Sequence, residues 1–257
     1  MNAPVQRPLL LVVSAPSGAG KTTLCARLLE TFPDMVRSVS CTTRAPRPDE
    51  VNNRDYVFLD AVEFQQRIAA GTFLEYAQVH GAYYGTPREP VEQALRAGCD
   101  VLLIIDVQGA ERIRQLLAPS AAGDLRRAVV DVFIMPPDSK TLRRRLVARG
   151  QDDAAEIERR LKNAGGEMAG APRYQYRIVN DCLEDAVARL RAIVLAEHCR
   201  ATKTDPTTLK ELRGASDGRP TEAPGATVGR RTLLRSRSYA GRATGSGPKK
   251  TDDRLSP

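Results

Sequence analysis

The stretch Ala15-Pro-Ser-Gly-Ala-Gly-Lys-Thr22 constrains this chain more than any other, because an apolar run leads into it and an amphipathic run leaves it. Leu9–Ser14 is a continuous Leu/Val-rich segment, the pattern of a parallel strand buried on both faces. Thr22–Thr31 places Leu24, Leu28 and Leu29 on one helical face. Between a strand and a helix, Gly18 and Gly20 let the backbone bend so that successive N–H groups converge on phosphate oxygens. The N-terminus of the following helix adds its partial positive charge. Lys21 can reach the β- and γ-phosphates, and the Thr22 hydroxyl can join the coordination of Mg²⁺. The candidate residues for a nucleoside triphosphate are therefore Ala15, Pro16, Ser17, Gly18, Ala19, Gly20, Lys21, Thr22 and Thr23, with Thr22 as the candidate metal ligand. The bland alternative is a Gly-rich turn that holds nothing, and a Lys-Thr pair at this spacing speaks against it. The general pattern has Gly where this chain has Ala15, a minor steric change provided that the alanine keeps a negative φ. The loop does not say what is phosphorylated.

Val101–Ile105 and Val129–Met135 repeat the buried-strand pattern. Helices are expected over 88–97, 109–117, 139–149, 153–168 and 182–199, and Asp60-Ala-Val-Glu63 opens another with a capping-box-like start. Alternation of this kind predicts an α/β fold, a doubly wound parallel sheet of the P-loop type with helices on both faces. The segment 38–98 breaks the alternation with short runs (Tyr56–Leu59, Phe73–Val79) and reads as a small mixed sheet inserted into the core. The core is expected over about 8–37, 99–138 and 170–200. After Arg200 the character changes: residues 201–257 hold five Pro, seven Gly and 12 of the 39 basic residues against 6 of the 31 acidic ones. Such a segment buries too little to offset its ordering entropy, so a basic, disordered tail is expected. The net charge of +8 is mostly this tail's. It has no aromatic interleaving beyond Tyr239, so neither nucleic acid nor membrane is expected as a partner. Five cysteines, widely spaced and without a Cys-x-x-Cys pair, argue against a disulfide framework or a zinc site and for a reducing compartment. The apolar run behind Arg7 leads straight into the loop, so it is not read as a signal peptide, and a cytoplasmic protein is expected.

The acceptor is read from Ser38-Val-Ser-Cys-Thr-Thr-Arg-Ala-Pro-Arg-Pro-Asp-Glu50. Arg44 and Arg47 lie three apart in a Pro-bounded, non-helical stretch and can converge on one anion, with guanidinium forks suited to phosphate. In order along the chain stand the loop, Ser40-x-Thr-Thr-Arg-x-Pro-Arg47, Tyr56, Phe73-Leu-Glu75, Tyr83-Tyr-Gly-Thr86, Asp106-Val-Gln-Gly109, Arg149-Gly150 and Ile178-Val-Asn-Asp181. In this order and near this spacing the chain resembles guanylate kinases over about residues 8–200. The resemblance implies ATP-dependent phosphorylation of GMP, and of dGMP, in purine nucleotide metabolism. It implies that Arg44, Arg47, Tyr56 and Tyr84 hold the GMP phosphate while Ser40, Glu75, Thr86 and Asp106 hold the base. The residue types suit guanine, whose N1–H and exocyclic amine lie side by side for one carboxylate, with hydroxyls free for O6. Adenine reverses those groups, and such polar mismatches discriminate by about 10⁴-fold or more.

Phosphoryl transfer to an anionic phosphate needs cations rather than a general base. Residues 139–169 supply them, and by resemblance they form the mobile lid. Arg145, Arg149 and Arg160 fall where the family has its lid arginines, which with Lys21 and Arg44 make the catalytic set. Arg143 and Arg144 read as solvated ion-pair residues, and Asn180 is placed near the adenine or the sheet edge that receives it. The family often has an acidic residue two before Asp106, where this chain has Ile104. Positions i and i+2 of a strand share a side, so one carboxylate is missing beside the metal. Thr22, ATP phosphates and water can still hold Mg²⁺. Two rivals stand: a kinase of a phosphorylated sugar, which does not need Glu75 with Ser40 and Thr86, and a catalytically inactive protein-binding module, which does not need the loop and the arginines. A monomer or small homo-oligomer is expected.

Overall fold

The structure is a computed structural model that describes residues 7–79, 81–116, 128–150 and 153–200. The expected tail 201–257 and residues 151–152 of the expected lid lie outside the described residues. Strand β1 (Leu10–Ser14) is buried along its whole length and enters α1 (Lys21–Thr31) through the loop. There follow β2 (Val36–Arg37), β3 (Cys41–Thr42), β4 (Val57–Phe58), α2 (Ala61–Ala69), β5 (Phe73–Val79), β6 (Ala82–Pro87) and α3 (Arg88–Arg96). Beyond them come β7 (Val101–Ile104), α4 (Val107–Leu116) and β8 (Val129–Met135). The helices α5 (Ser139–Ala148) and α6 (Ala154–Met168), strand β9 (Tyr176–Val179) and helix α7 (Leu183–His198) complete the described residues.

Five strands form a parallel sheet in the order β2-β7-β1-β8-β9. Its two faces carry separate apolar cores, as a sheet with helices on both sides must. Leu9, Leu11, Val13, Val132 and Ile178 pack with Leu24 and Leu28 of α1 and Leu190 and Val194 of α7. Leu10, Val12, Leu103 and Phe133 face the other way, with Val91 of α3 and Ile113 of α4. Chain order along the sheet reverses at β1, so the C-terminal ends of β1, β7 and β8 open onto one crevice, the usual ligand position in such folds.

The second sheet, β4-β3-β6-β5, is mixed, with β3 and β4 parallel and β6 antiparallel to both β3 and β5. Its own small core stacks Phe64 of α2 on Phe73 (centroids 4.6 Å apart) and on Tyr83 (5.4 Å) beside buried Cys41. Each of α2, α5 and α6 starts at an aspartate, where Asp60, Asp138 and Asp153 accept a hydrogen bond from a backbone N–H three residues on, each at 2.7 Å.

Candidate active site

The loop between β1 and α1 is held by Asn180 on one side and Arg160 on the other. Gly18 and Gly20 adopt φ of +86° and +90°, in the left-handed region that excludes most side chains. Asn53 has the single positive φ among described non-glycine residues, so Ala15 sits without strain at the loop's first position. Asn180, just after β9, donates from Nδ2 to the carbonyl of Ala19 at 2.8 Å. A Cβ on Gly20 would lie 2.3 Å from that same nitrogen. Asn180 thus braces the loop from beneath, at the end of the edge strand β9. Its Oδ1 is buried with no hydrogen-bond partner. From above, Arg160 of α6 donates to the Ser17 hydroxyl at 2.9 Å while pairing with Glu156 at 2.8 Å. Arg145 of α5 donates to the carbonyl of Asn180 at 2.9 Å. Two of the three expected lid arginines are therefore seated around the loop, and Arg149 is exposed at the end of α5. Arg143 pairs with Glu158 on the solvent side, as its sequence context predicts.

Lys21 reaches under the loop, and its Nζ donates to the carbonyl of Ile105 at 2.8 Å. Desolvation pushes the ammonium below its ordinary range, and Asp106 leads the influences that pull it back. Glu167, in the last turn of α6, also acts on Lys21, and burial together with the Asp106 charge raises its own carboxyl. Glu167 carries no motif, so nothing in the sequence marks it. Ile104 is partly buried against the core beneath α1, so no carboxylate replaces the one expected two residues before Asp106. The candidate donor for a divalent cation is the exposed Thr22 hydroxyl, and no group of three His, Cys, Asp or Glu residues that could hold a metal ion exists among the described residues. That spare donor fits Mg²⁺, which keeps several waters and takes phosphate oxygens as ligands.

The insert brings the expected acceptor residues into two groups. In the first, Arg44 Nε donates to the Tyr84 hydroxyl at 3.2 Å, and its guanidinium lies 5.6 Å from the centre of the Tyr56 ring. Arg44 Nη2 donates to both oxygens of Glu50, at 2.8 and 2.9 Å, and the Arg47 N–H donates to Glu50 at 2.8 Å. Against the push of its partial burial, these contacts hold the Glu50 carboxyl below the usual range. Glu50 follows the Arg44–Arg47 motif in the sequence, where nothing marks it for a role. It is the internal anion that gathers both arginines.

In the second group, Glu75 is buried and accepts a 2.6 Å hydrogen bond from the Thr86 hydroxyl. A β-bulge sets this pairing: Phe73 lies opposite Pro87, yet Glu75 lies opposite Thr86, so two steps on β5 match one on β6. Burial pushes the Glu75 carboxyl up to about 7, the Thr86 hydrogen bond opposes this, and Asp106 adds to it. Asp106 accepts from the Gly109 N–H at 2.9 Å, which places it at the start of α4 beside Glu75. Ser40 lies just before β3, partly buried, with its carbonyl bonded to Val57 N at 2.9 Å. The crevice thus joins a phosphate loop, a cationic anion site and two adjacent carboxyls, Glu75 buried and Asp106 half-buried.

This arrangement has relatives. The family model described as guanylate kinase matches residues 7–197. The chain is 46% identical over 198 residues to a guanylate kinase of Wolbachia pipientis wMel, covering 77% of this chain and 94% of that protein. It is 45% identical over 195 residues to one of Geobacter sulfurreducens, covering 76% of this chain and 92% of that protein. Among solved structures it is similar to the crystal structure of guanylate kinase from Anaplasma phagocytophilum. There the TM-score is 0.66 and the identity 34%, over 82% of this chain and 96% of that one.

Proposed function

The chain belongs to the guanylate kinase family and phosphorylates GMP with ATP, and from that premise we propose how its own residues divide the work. The loop from Ala15 to Thr23 cradles the ATP phosphates with backbone N–H groups, and Lys21 stands beneath them. Arg44, Arg47, Tyr56 and Tyr84 receive the phosphate of GMP, with Glu50 as the anion that pairs with both guanidinium groups, Arg44 at 2.8 Å and Arg47 at 3.8 Å. Glu75 accepts N1–H and the 2-amino group of guanine, while Thr86, Ser40 and Asp106 complete the base site. dGMP fits the same residues.

A phosphate oxygen of GMP attacks the γ-phosphorus of ATP in line. The new P–O bond forms as the bond to the β–γ bridging oxygen breaks, and that oxygen keeps the electron pair, giving GDP and ADP. No side chain has to remove a proton, because the attacking oxygen is already anionic. The work is positioning and charge stabilisation by Lys21, Arg44, Arg145, Arg149 and Arg160. Mg²⁺, held by the Thr22 hydroxyl, phosphate oxygens and water, supplies further charge neutralisation when bound. Helices α5 and α6 act as the lid, and with the insert they close over the crevice to exclude water.

The observation that carries this reading is the buried Glu75 carboxyl, fixed by Thr86 beside Asp106 at the open end of β7. A sugar-phosphate kinase has no use for that pair, and an inactive binding module has no use for a half-buried Lys21 beneath an intact loop. Steady-state kinetics of Lys21→Ala and Arg44→Ala test the division of roles. Lys21→Ala is expected to lower kcat by about 10²-fold or more, and Arg44→Ala to raise KM for GMP by about 10-fold or more with KM for ATP little changed. Turnover left intact in both variants would overturn the assignment.

A further inference from the structure

Helix α4 opens directly after Asp106, and its third residue is Gly109. Glycine within a helix costs roughly 1 kcal/mol relative to alanine, and Gly109 does not use the left-handed conformation that would justify it. Its surroundings give a different reason. A Cβ at Gly109 would lie 2.6 Å from Glu75 Oε2, 3.1 Å from Glu75 Cδ and 3.3 Å from Asp106 Oδ1. The other Glu75 oxygen is held at 2.6 Å by Thr86. The carboxyl therefore lies between a fixed hydroxyl and bare helix backbone. The Gly109 N–H also donates to Asp106 Oδ1 at 2.9 Å, which draws the second carboxyl to the same spot. Helix α4 cannot back away, because Ala110 and Ile113 are buried in the core on its inner side. The flexible group in the contact is the Glu75 side chain, so an added methyl shifts the site and spares the fold.

We propose that Gly109 is a specificity-determining residue of the acceptor site: its missing side chain seats the Glu75 carboxylate where it reads both N1–H and the 2-amino group of guanine. This rests on the reading of Glu75 given above. A methyl at 109 turns the carboxylate out of that position. The hydrogen bond to the 2-amino group, which GMP carries and IMP lacks, is the first to break.

The test is the ratio of kcat/KM for GMP to that for IMP, measured on the full-length enzyme, Gly109→Ala, Glu75→Gln, Glu75→Asp and the double variant Glu75→Asp/Gly109→Ala. The ratio is independent of the active fraction, so partial misfolding does not blur it. Gly109→Ala is expected to lower the ratio by about 10-fold or more with KM for ATP unchanged. In the Glu75→Asp background, where the shorter side chain clears the methyl, the same substitution is expected to change it little. An unchanged ratio in Gly109→Ala alongside a collapsed one in Glu75→Gln overturns the role of Gly109 and leaves the base reading standing. A wild-type ratio in Glu75→Gln overturns the base reading itself. If Gly109→Ala alone gives no folded enzyme, recovery of a folded, GMP-preferring double variant supports the proposal, and its failure to recover overturns it.

Discussion

If Glu75 reads the base as proposed, its burial ties acceptor recognition to pH. Its carboxyl titrates near 7 because the charged form is desolvated and Asp106 stands close by, whereas an unfolded chain ionises it near its ordinary value of about 4.3. The folded pKa is raised, so the group's contribution to stability is fully present below the ordinary value and is lost as pH rises through 7. That contribution is roughly 4 kcal/mol at most. Guanine needs the ionised form, so binding runs the other way: KM for GMP is expected to fall as pH rises from 6 to 8. The substrate's own phosphate titrates near pH 6, and Glu75→Gln separates the two effects, because only the component near 7 disappears in the variant. Identical pH profiles of KM in the two enzymes would contradict the account. The sequence makes Glu75 a base-reading candidate through its resemblance, yet its raised titration arises from burial in the fold and from Asp106, 31 residues away in the chain. Glu50 and Glu167 show the opposite case: an acidic residue acquires a role only when the fold places it against Arg44 or Lys21.

Among elements, those with a strong local pattern are legible in the sequence and those made by pairing are not. The loop, β8 and the helices at 61, 139 and 154 follow from apolar runs and aspartate caps, which act over a few residues. The bulge in β5 is hidden, because Phe73, Leu74 and Glu75 are buried in succession and break the alternation that marks an ordinary strand. Asn180 carries its family's signature, but its hydrogen bond to Ala19 is made across 161 residues and belongs to tertiary structure. The insert's stability depends on a small element of its own, the Phe64–Phe73–Tyr83 stack, and two of its members adjoin Leu74-Glu75 and Tyr84. Phe64→Ala is expected to cost about 3–5 kcal/mol locally and to raise KM for GMP well above any change in KM for ATP. Thermal melting and the two KM values check this, and equal rises in both constants would show that the insert does not act as a unit.

At the scale of the whole molecule, one parallel sheet sets where everything meets. Placing β1 between β7 and β8 brings the loop, Asp106 and the lid to a single edge, and the insert between β2 and β7 carries the arginines and Glu75 to the same crevice. The doubly wound core and the inserted mixed sheet are both readable from the alternation of apolar runs and its interruption over 38–98. No helix among the described residues is long and apolar enough to cross a membrane. On the proposed reading, this edge transfers phosphate from ATP to GMP and selects guanine while doing so. The most direct measurement is ADP formation from ATP and Mg²⁺ with GMP, AMP, CMP and UMP offered one at a time. Turnover with GMP, and rates lower by about 10³-fold or more with the other three, is the predicted result. Comparable turnover with AMP, or tight GMP binding without any turnover, would contradict it.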